Sequence, residues 1–288
     1  MDNIGNIFTI LLVQPITNLL VAIYQLLVYL HIPSPFGFSI ILLTMVIRLV
    51  LFPLMSAQLK SSKKMQQLAP EISALKIKYK GDTKRQQAET MALYKKYGIN
   101  PAAGCLPVVI QLPIIWGLYS VLQEAVKQTS VSGINHLVYT ESLKLPHLWD
   151  THFFGIPLAQ TPSQLLGTVG VFILILPLLT AVTQFIQSKM MLPAPAPKTT
   201  EKKKGDTMTD FASAFQTQSL YIFPVMIGFF SFQFPSGLSF YWITFTVFGI
   251  IQQYLMQRGN APLVSAPAPV LSKPKTQKKK AKKLPYGK

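Results

Sequence analysis

Five stretches of the chain, residues 38–56, 106–123, 166–187, 219–234 and 238–256, are each apolar over enough length to cross a bilayer as helices. The hydrocarbon to be crossed is roughly 30 Å thick. The fourth stretch is short and meets the fifth through Pro235-Ser236-Gly237, a helix-breaking turn, so the two read as a transmembrane hairpin. A sixth run, 10–30, is less uniform. Asn18 and Gln25 are seven residues apart on one helical face, with Gln14 a turn before. That polar stripe suits a helix lying in the membrane interface, the alternative being a sixth span. No Lys or Arg precedes the run, so a cleavable signal peptide is not expected.

Charge is scarce and lopsided. Charged residues make up 13% of the chain, against roughly 25% in soluble domains. Lys and Arg number 27 and Asp and Glu 10, a formal +17. The single cysteine excludes a disulfide-stapled domain, and the apolar content argues against a soluble nucleic-acid binder. Residues 57–104 carry ten Lys or Arg, 188–218 carry five and the tail from 257 carries nine. Residues 124–165 carry two, Lys127 and Lys144, and residues 1–37 carry none. With five spans these groups fall on opposite sides, 24 against 2. The positive-inside rule then places 57–104, 188–218 and the C-terminus in the cytosol.

The basic segments differ in kind. Residues 188–210 combine a Pro-Ala repeat with Lys202-Lys203-Lys204 and read as a flexible linker, and 259–288 read as a disordered basic tail. Residues 57–98 are more ordered. Met65, Leu68, Ile72, Leu75 and Tyr79 follow a 3, 4, 3, 4 spacing, a helical seam. Gly81-Asp82 breaks it before a second helical stretch with Met91, Tyr94 and Tyr97, so the segment reads as a helical hairpin.

Arg48 stands out because it lies inside the first apolar stretch, eight residues from Ser56. A guanidinium at that depth costs at least about 2.5 kcal/mol on insertion scales. A wet, protein-lined cavity would keep it hydrated, the alternative being snorkelling to the cytosolic interface with local thinning of the bilayer, and Thr44, one turn earlier, shares its face. None of the five stretches contains Asp or Glu, and the nearest, Glu124, lies just past the second. The partner of this charge is therefore expected to come from outside the chain, as the acidic residues of a passing polypeptide. Gln111, Gln184, Gln187, Thr244 and Thr246 could line the same cavity or simply bond helix to helix. Pro107, Pro113, Pro177 and Pro224 are expected to break helices locally, and Tyr241-Trp242 to suit an interfacial aromatic belt. His31, His136, His147 and His152 match no metal-site spacing. Cys105, after Pro-Ala-Ala-Gly, imitates a lipoprotein box but sits mid-chain. With no phosphate-binding loop, nucleophile triad or carboxylate pair, the chain reads as neither an enzyme nor an ATPase, and no cofactor or metal is expected.

These residues together resemble the YidC/Oxa/Alb family of membrane protein insertases. The resemblance covers about residues 36–258. It rests on the Gly37–Arg48 span, Lys64-Met65-Gln66-Gln67-Leu68-Ala69-Pro70-Glu71-Ile72 and Met91-Ala92-Leu93-Tyr94-Lys95-Lys96. It continues through Asn100-Pro101-Ala102-Ala103-Gly104-Cys105-Leu106-Pro107, Gln111-Leu112-Pro113-Ile114, and Phe234-Pro235-Ser236-Gly237-Leu238 with Tyr241-Trp242. It implies an all-α polytopic membrane protein: a five-span core over 36–258, a cytosolic helical hairpin at 57–98, and an amphipathic interfacial helix within 1–35. Arg48 matches the groove arginine, Thr44 the threonine a turn away, and Trp242 an aromatic position near the substrate path. Related proteins work alone or beside the Sec translocon, and their basic tails contact ribosomes. The large extracytoplasmic domain of Gram-negative members is not seen, nor the lipoprotein signal of many Gram-positive ones.

The expectation is thus an insertase of a bacterial cytoplasmic membrane, taking nascent membrane proteins into a hydrophilic groove without nucleotide hydrolysis. Arg48, Thr44, Gln111, Gln184, Gln187, Tyr241 and Trp242 would line the groove. Lys278, Lys279, Lys280, Lys282 and Lys283 would touch ribosomal RNA or anionic lipid. The rivals are a small-solute transporter or channel, which usually needs an intramembrane acid that this sequence lacks, and an assembly factor that chaperones the folding of inserted proteins, which residues alone do not separate from an insertase.

Overall fold

A computed structural model describes residues 7–79, 81–100, 106–127, 131–191 and 207–258, and most of these are helical. The basic tail with Lys278 to Lys283, most of the expected linker (192–206) and Cys105 lie outside the described residues. A π-helical turn, Thr9–Val13, leads into α1 (Gln14–Tyr29). Then come α2 (Pro35–Val50), α3 (Phe52–Gln67), α4 (Ala69–Lys78) and α5 (Thr83–Lys96). After α6 (Leu106–Lys127) the chain passes through short elements over 132–174, including a two-residue antiparallel strand pair, His152–Phe153 with Ile156–Pro157. Three long helices close it: α7 (Ile175–Met191), α8 (Thr207–Gln233) and α9 (Ser236–Arg258).

The protein is a mostly helical membrane protein. Among the described residues, Thr9–Tyr29 and Val171–Met191 are each long and apolar enough to cross a bilayer, and α2 with α3 qualifies as a pair. Leu220–Gln233 is apolar but shorter.

Three expectations from the sequence change. The first apolar stretch is not one straight helix, because α2 and α3 meet at Leu51 with a 64° bend. Pro53 cannot donate to Leu49, so the chain turns there and Pro53 takes the first turn of α3, where a missing N–H is tolerated. The third stretch becomes regular only at Val171, five residues later than expected, and the helix runs on to Met191. Gly170 stands at φ +79°, a conformation natural to glycine, and breaks the chain before it. The prolines interrupt less than expected. Helices α6 and α8 run on through Pro113 and Pro224, while Pro107 and Pro177 sit in first turns.

Helix α7 packs against α8 and α9, α2 lies between α1 and α9, and α6 leans on α1 and α9. In lipid such helices are held by close fit rather than by apolar burial. A Cβ on Gly228 would stand 2.9 Å from the Ala181 Cβ and 3.2 Å from the Pro177 carbonyl, so α7 and α8 touch nearly backbone to backbone. Buried hydroxyls tie the same three helices. Thr180 meets Ser231 at 3.2 Å, Ser231 meets Ser239 at 2.7 Å, and Thr246 donates to Thr183 at 3.1 Å.

The segment 131–165 covers one end of the bundle. The polar stripe of α1 is spent on it. Asn18 donates to the Leu137 carbonyl and accepts from the Tyr139 N–H at 2.8 Å, and Gln25 donates to the Leu143 carbonyl at 3.1 Å. Trp149, buried, packs edge-on against Tyr24 and Phe36. Gly37 lets the Phe153 ring lie directly on α2, and Phe153 also meets Phe240 of α9. Ser236 and Gly237 donate their N–H groups to the Gln160 and Leu158 carbonyls, anchoring the start of α9.

At the opposite end α4 and α5 pack on each other across a turn at Gly81-Asp82. Asp82 caps α5 by accepting from the Arg85 N–H, Gln86 donates to the Tyr79 carbonyl at 2.9 Å, and the Tyr97 hydroxyl reaches Glu71 at 3.3 Å. The expected seam from Met65 to Tyr79 is divided between α3 and α4, because the chain turns at Leu68 ahead of Pro70.

Candidate functional site

The bend at Leu51 moves Arg48 from the middle of a helix to the last turn of α2. A cation there faces the carbonyl end of the helix dipole, a favourable place for it. Its side chain is 3% exposed. The guanidinium lies 3.4 Å above the centre of the Phe245 ring and donates from Nη2 to the carbonyl of the same residue. Phe248 stands further off, at 5.9 Å. Arg48 Nε is buried with no hydrogen-bond partner, and no carboxylate pairs with the side chain among the described residues. The sequence led us to expect a hydrated guanidinium; the structure packs it against a ring and a carbonyl of α9.

Gly249 makes that packing possible. It lies one turn past Phe245 on α9, and a Cβ there would meet the Gln187 amide nitrogen and stand 2.6 Å from Arg48 Nη2. The absence of one methyl group on α9 therefore leaves room for these two side chains to pack there. From Arg48 the cluster extends in one line. The Phe245 ring stacks on the Tyr241 ring at 5.8 Å, and the Tyr241 hydroxyl accepts from the Gln111 amide of α6.

Of the residues singled out in the sequence, Arg48, Gln187, Tyr241 and Gln111 are thus drawn together. Thr44 lies a turn from Arg48 but donates to the Ile40 carbonyl of its own helix at 2.6 Å. Gln184 reaches Ser188, on its own helix, at 3.5 Å. Trp242 is 6% exposed and packs in the main core. The aromatic-belt expectation for Tyr241-Trp242 fails for this reason: both rings are buried between helices.

Phe245, Gly249 and the hydroxyls of Thr180, Thr183, Ser231 and Ser239 were not singled out. The signal was present: Thr180, Thr183 and Gln187 on α7, and Thr246, Gly249 and Gln253 on α9, each follow the 3, 4 spacing of one helical face. Beyond Gly249 the stripe continues into buried amides. Gln252 donates to Ser56 at 3.1 Å and Gln253 to the Met190 carbonyl at 2.6 Å.

A family model described as the 60Kd inner membrane protein matches residues 27–262, taking in every helix of this cluster. The chain belongs to the YidC/Oxa/Alb family. It is similar to the chloroplastic inner membrane protein ALBINO3 of Arabidopsis thaliana, 32% identical over 80% of this chain and 48% of that protein. It is also similar to the membrane protein insertase YidC 1 of Halalkalibacterium halodurans, 35% identical over 78% of this chain and 71% of that one. The membrane protein insertase MisCA of Bacillus subtilis is 34% identical over 77% and 70%. The chain spans less than half the length of ALBINO3 and 37% of the YidC of a Janthinobacterium strain, while matching about 70% of the Halalkalibacterium and Bacillus proteins.

Proposed function

We propose that the protein inserts membrane proteins into a bacterial cytoplasmic membrane, and that Arg48 draws the leading segment of a client into the groove between α2, α7 and α9. One observation carries this reading: a guanidinium 3% exposed that has no carboxylate partner among the described residues. A ring face and one carbonyl hold it, and an arriving carboxylate makes the stronger, charge-assisted bond. The acidic leading segment of a client supplies one. Drawn to Arg48, that segment has less hydrocarbon left to cross, and burial of the client helix in lipid, about 0.8 kcal/mol per methylene, completes the transfer. The protein acts as an insertase rather than an enzyme and hydrolyses no nucleotide.

In this reading the five apolar stretches within 36–258 span the bilayer, 1–35 lies on the outer face, and 131–165 seals the outer end. Residues 57–98, 188–210 and 259–288 are cytosolic, as the 24-to-2 split of basic residues favours. The tail lysines Lys278, Lys279, Lys280, Lys282 and Lys283 meet the ribosome or anionic lipid, and the protein works alone or beside the Sec translocon.

The test is depletion with rescue, scored by protease protection of a single-span client with an acidic leading tail. Wild type and Arg48→Lys restore protection, since charge is what acts. Arg48→Ala does not, while a neutral-tailed client inserts with either. Full rescue of the acidic client by Arg48→Ala would end the groove-charge mechanism.

A further inference from the structure

A second polar site lies one turn further along α9. A cavity of about 200 Å³ opens between α3 and α9, lined by Leu59, Lys60, Ser62, Lys63, Gln66, Gln253 and Met256. Leu59, Lys63 and Gln66 share one face of α3, and Lys60 and Ser62, whose hydroxyl donates to the Met191 carbonyl at 3.4 Å, line the same opening. Neither lysine has a carboxylate partner among the described residues. Gln253 is 6% exposed, its amide nitrogen is committed to the Met190 carbonyl, and its Oε1 is buried with no donor. Gln66 is likewise committed, donating to the Met191 carbonyl at 2.7 Å.

Two lysines lining the opening call for an anion. The space admits several waters or one small polar headgroup. Its level in the chain matters too. Met55 is the last buried apolar residue of α3 before the lysines begin, which is where a spanning segment meets the headgroups. Phe52, seven residues before Leu59 and so on the same face of α3, is exposed and offers an apolar path for an acyl chain.

We infer that this cavity binds the headgroup of an anionic glycerophospholipid, its phosphate held between Lys60 and Lys63. The inference rests on the membrane placement of α3 proposed above, but not on insertion activity. Phosphatidylglycerol and phosphatidic acid carry a net negative charge, and phosphatidylcholine does not. A lipid seated there would brace the bent α2–α3 pair against α9, next to the Arg48 cluster.

The test is native mass spectrometry of the full chain released from detergent with each of the three lipids, or with inorganic phosphate. Wild type retains one phosphatidylglycerol about tenfold more than phosphatidylcholine. The double variant Lys60→Gln, Lys63→Gln loses that preference, and Lys60→Arg, Lys63→Arg keeps it. The tail lysines are unchanged throughout, so their lipid contacts cancel in the comparison. Equal retention by wild type and the glutamine variant overturns the site, and so does inorganic phosphate displacing the lipid at equal concentration. Because binding is read on purified protein, a failure here leaves the insertion assay untouched, and a failure there leaves this one standing.

Discussion

Replacing Arg48 by methionine should remove the client-facing charge with little effect on the fold. A guanidinium in a spanning helix costs about 2.5–3.5 kcal/mol on insertion scales. Against this stand two contacts in the structure. The bond to the Phe245 carbonyl is of the charged kind, about 1.5–3 kcal/mol, and the ring contact at 3.4 Å adds about 0.5–2 kcal/mol. The two sides overlap, so the arginine is nearly neutral for stability, within about 2 kcal/mol. Methionine fills much of the same space and leaves no charge to desolvate, whereas alanine would leave a hole. Thermal unfolding of purified protein in one detergent should therefore shift by less than about 8 °C for Arg48→Met. In the depletion assay the same variant should lose insertion of an acidic-tailed client severalfold and keep that of a neutral one. A melting temperature lower by well over 10 °C would mean that Arg48 is a structural tie. Equal loss of both clients would mean the same, and either result refutes the reasoning.

Gly249→Ala puts a methyl group against Gln187 and Arg48 Nη2. Both can swing away, so the stability loss should stay near the lower end of the 1–3 kcal/mol typical of overpacking, while acidic-client insertion falls as the guanidinium leaves Phe245. Asn18→Leu strands the Tyr139 N–H and removes the bond to Leu137. A loss of about 1–3 kcal/mol is expected, and limited proteolysis should then cut within 136–144 first. Acid should loosen the same end through Asp150. Burial pushes its carboxyl up, but the backbone N–H and ring of His152 outweigh this and hold it below the usual carboxylate range. A depressed acid contributes stability that is full above the unfolded value near 4 and is lost as pH falls through the lower folded one. Fluorescence of the neighbouring Trp149 should therefore be flat from pH 8 to 5 and change only below about 4, and Asp150→Asn should abolish that acid step.

How much of this was legible in the sequence depends on whether a residue's partner is near it in the chain. The apolar stretches, the turn at Gly81-Asp82 and the isolation of Arg48 are local facts, and they could be read from spacing alone. The bend at Leu51 was legible too, since Pro53 is in plain view, but hydropathy averages over it and counts a single span. What spacing could not tell was which carbonyl, ring or amide would face each polar group. Asn18 and Gln25 form a stripe that looks made for water, yet they bind backbone groups about 120 residues later in the chain. Arg48 looked as if it needed water for the same reason, and its ring and carbonyl lie 197 residues away. In both cases the sequence showed that a polar group needed satisfying and the fold chose the partner. The difference between them is what makes Arg48 the functional candidate. Asn18 has both its donor and its acceptor engaged, whereas Arg48 keeps a buried Nε unbonded and a charge with no carboxylate among the described residues. A buried group left half-satisfied gains most from a partner that arrives with an acceptor, which is what a client carboxylate would bring.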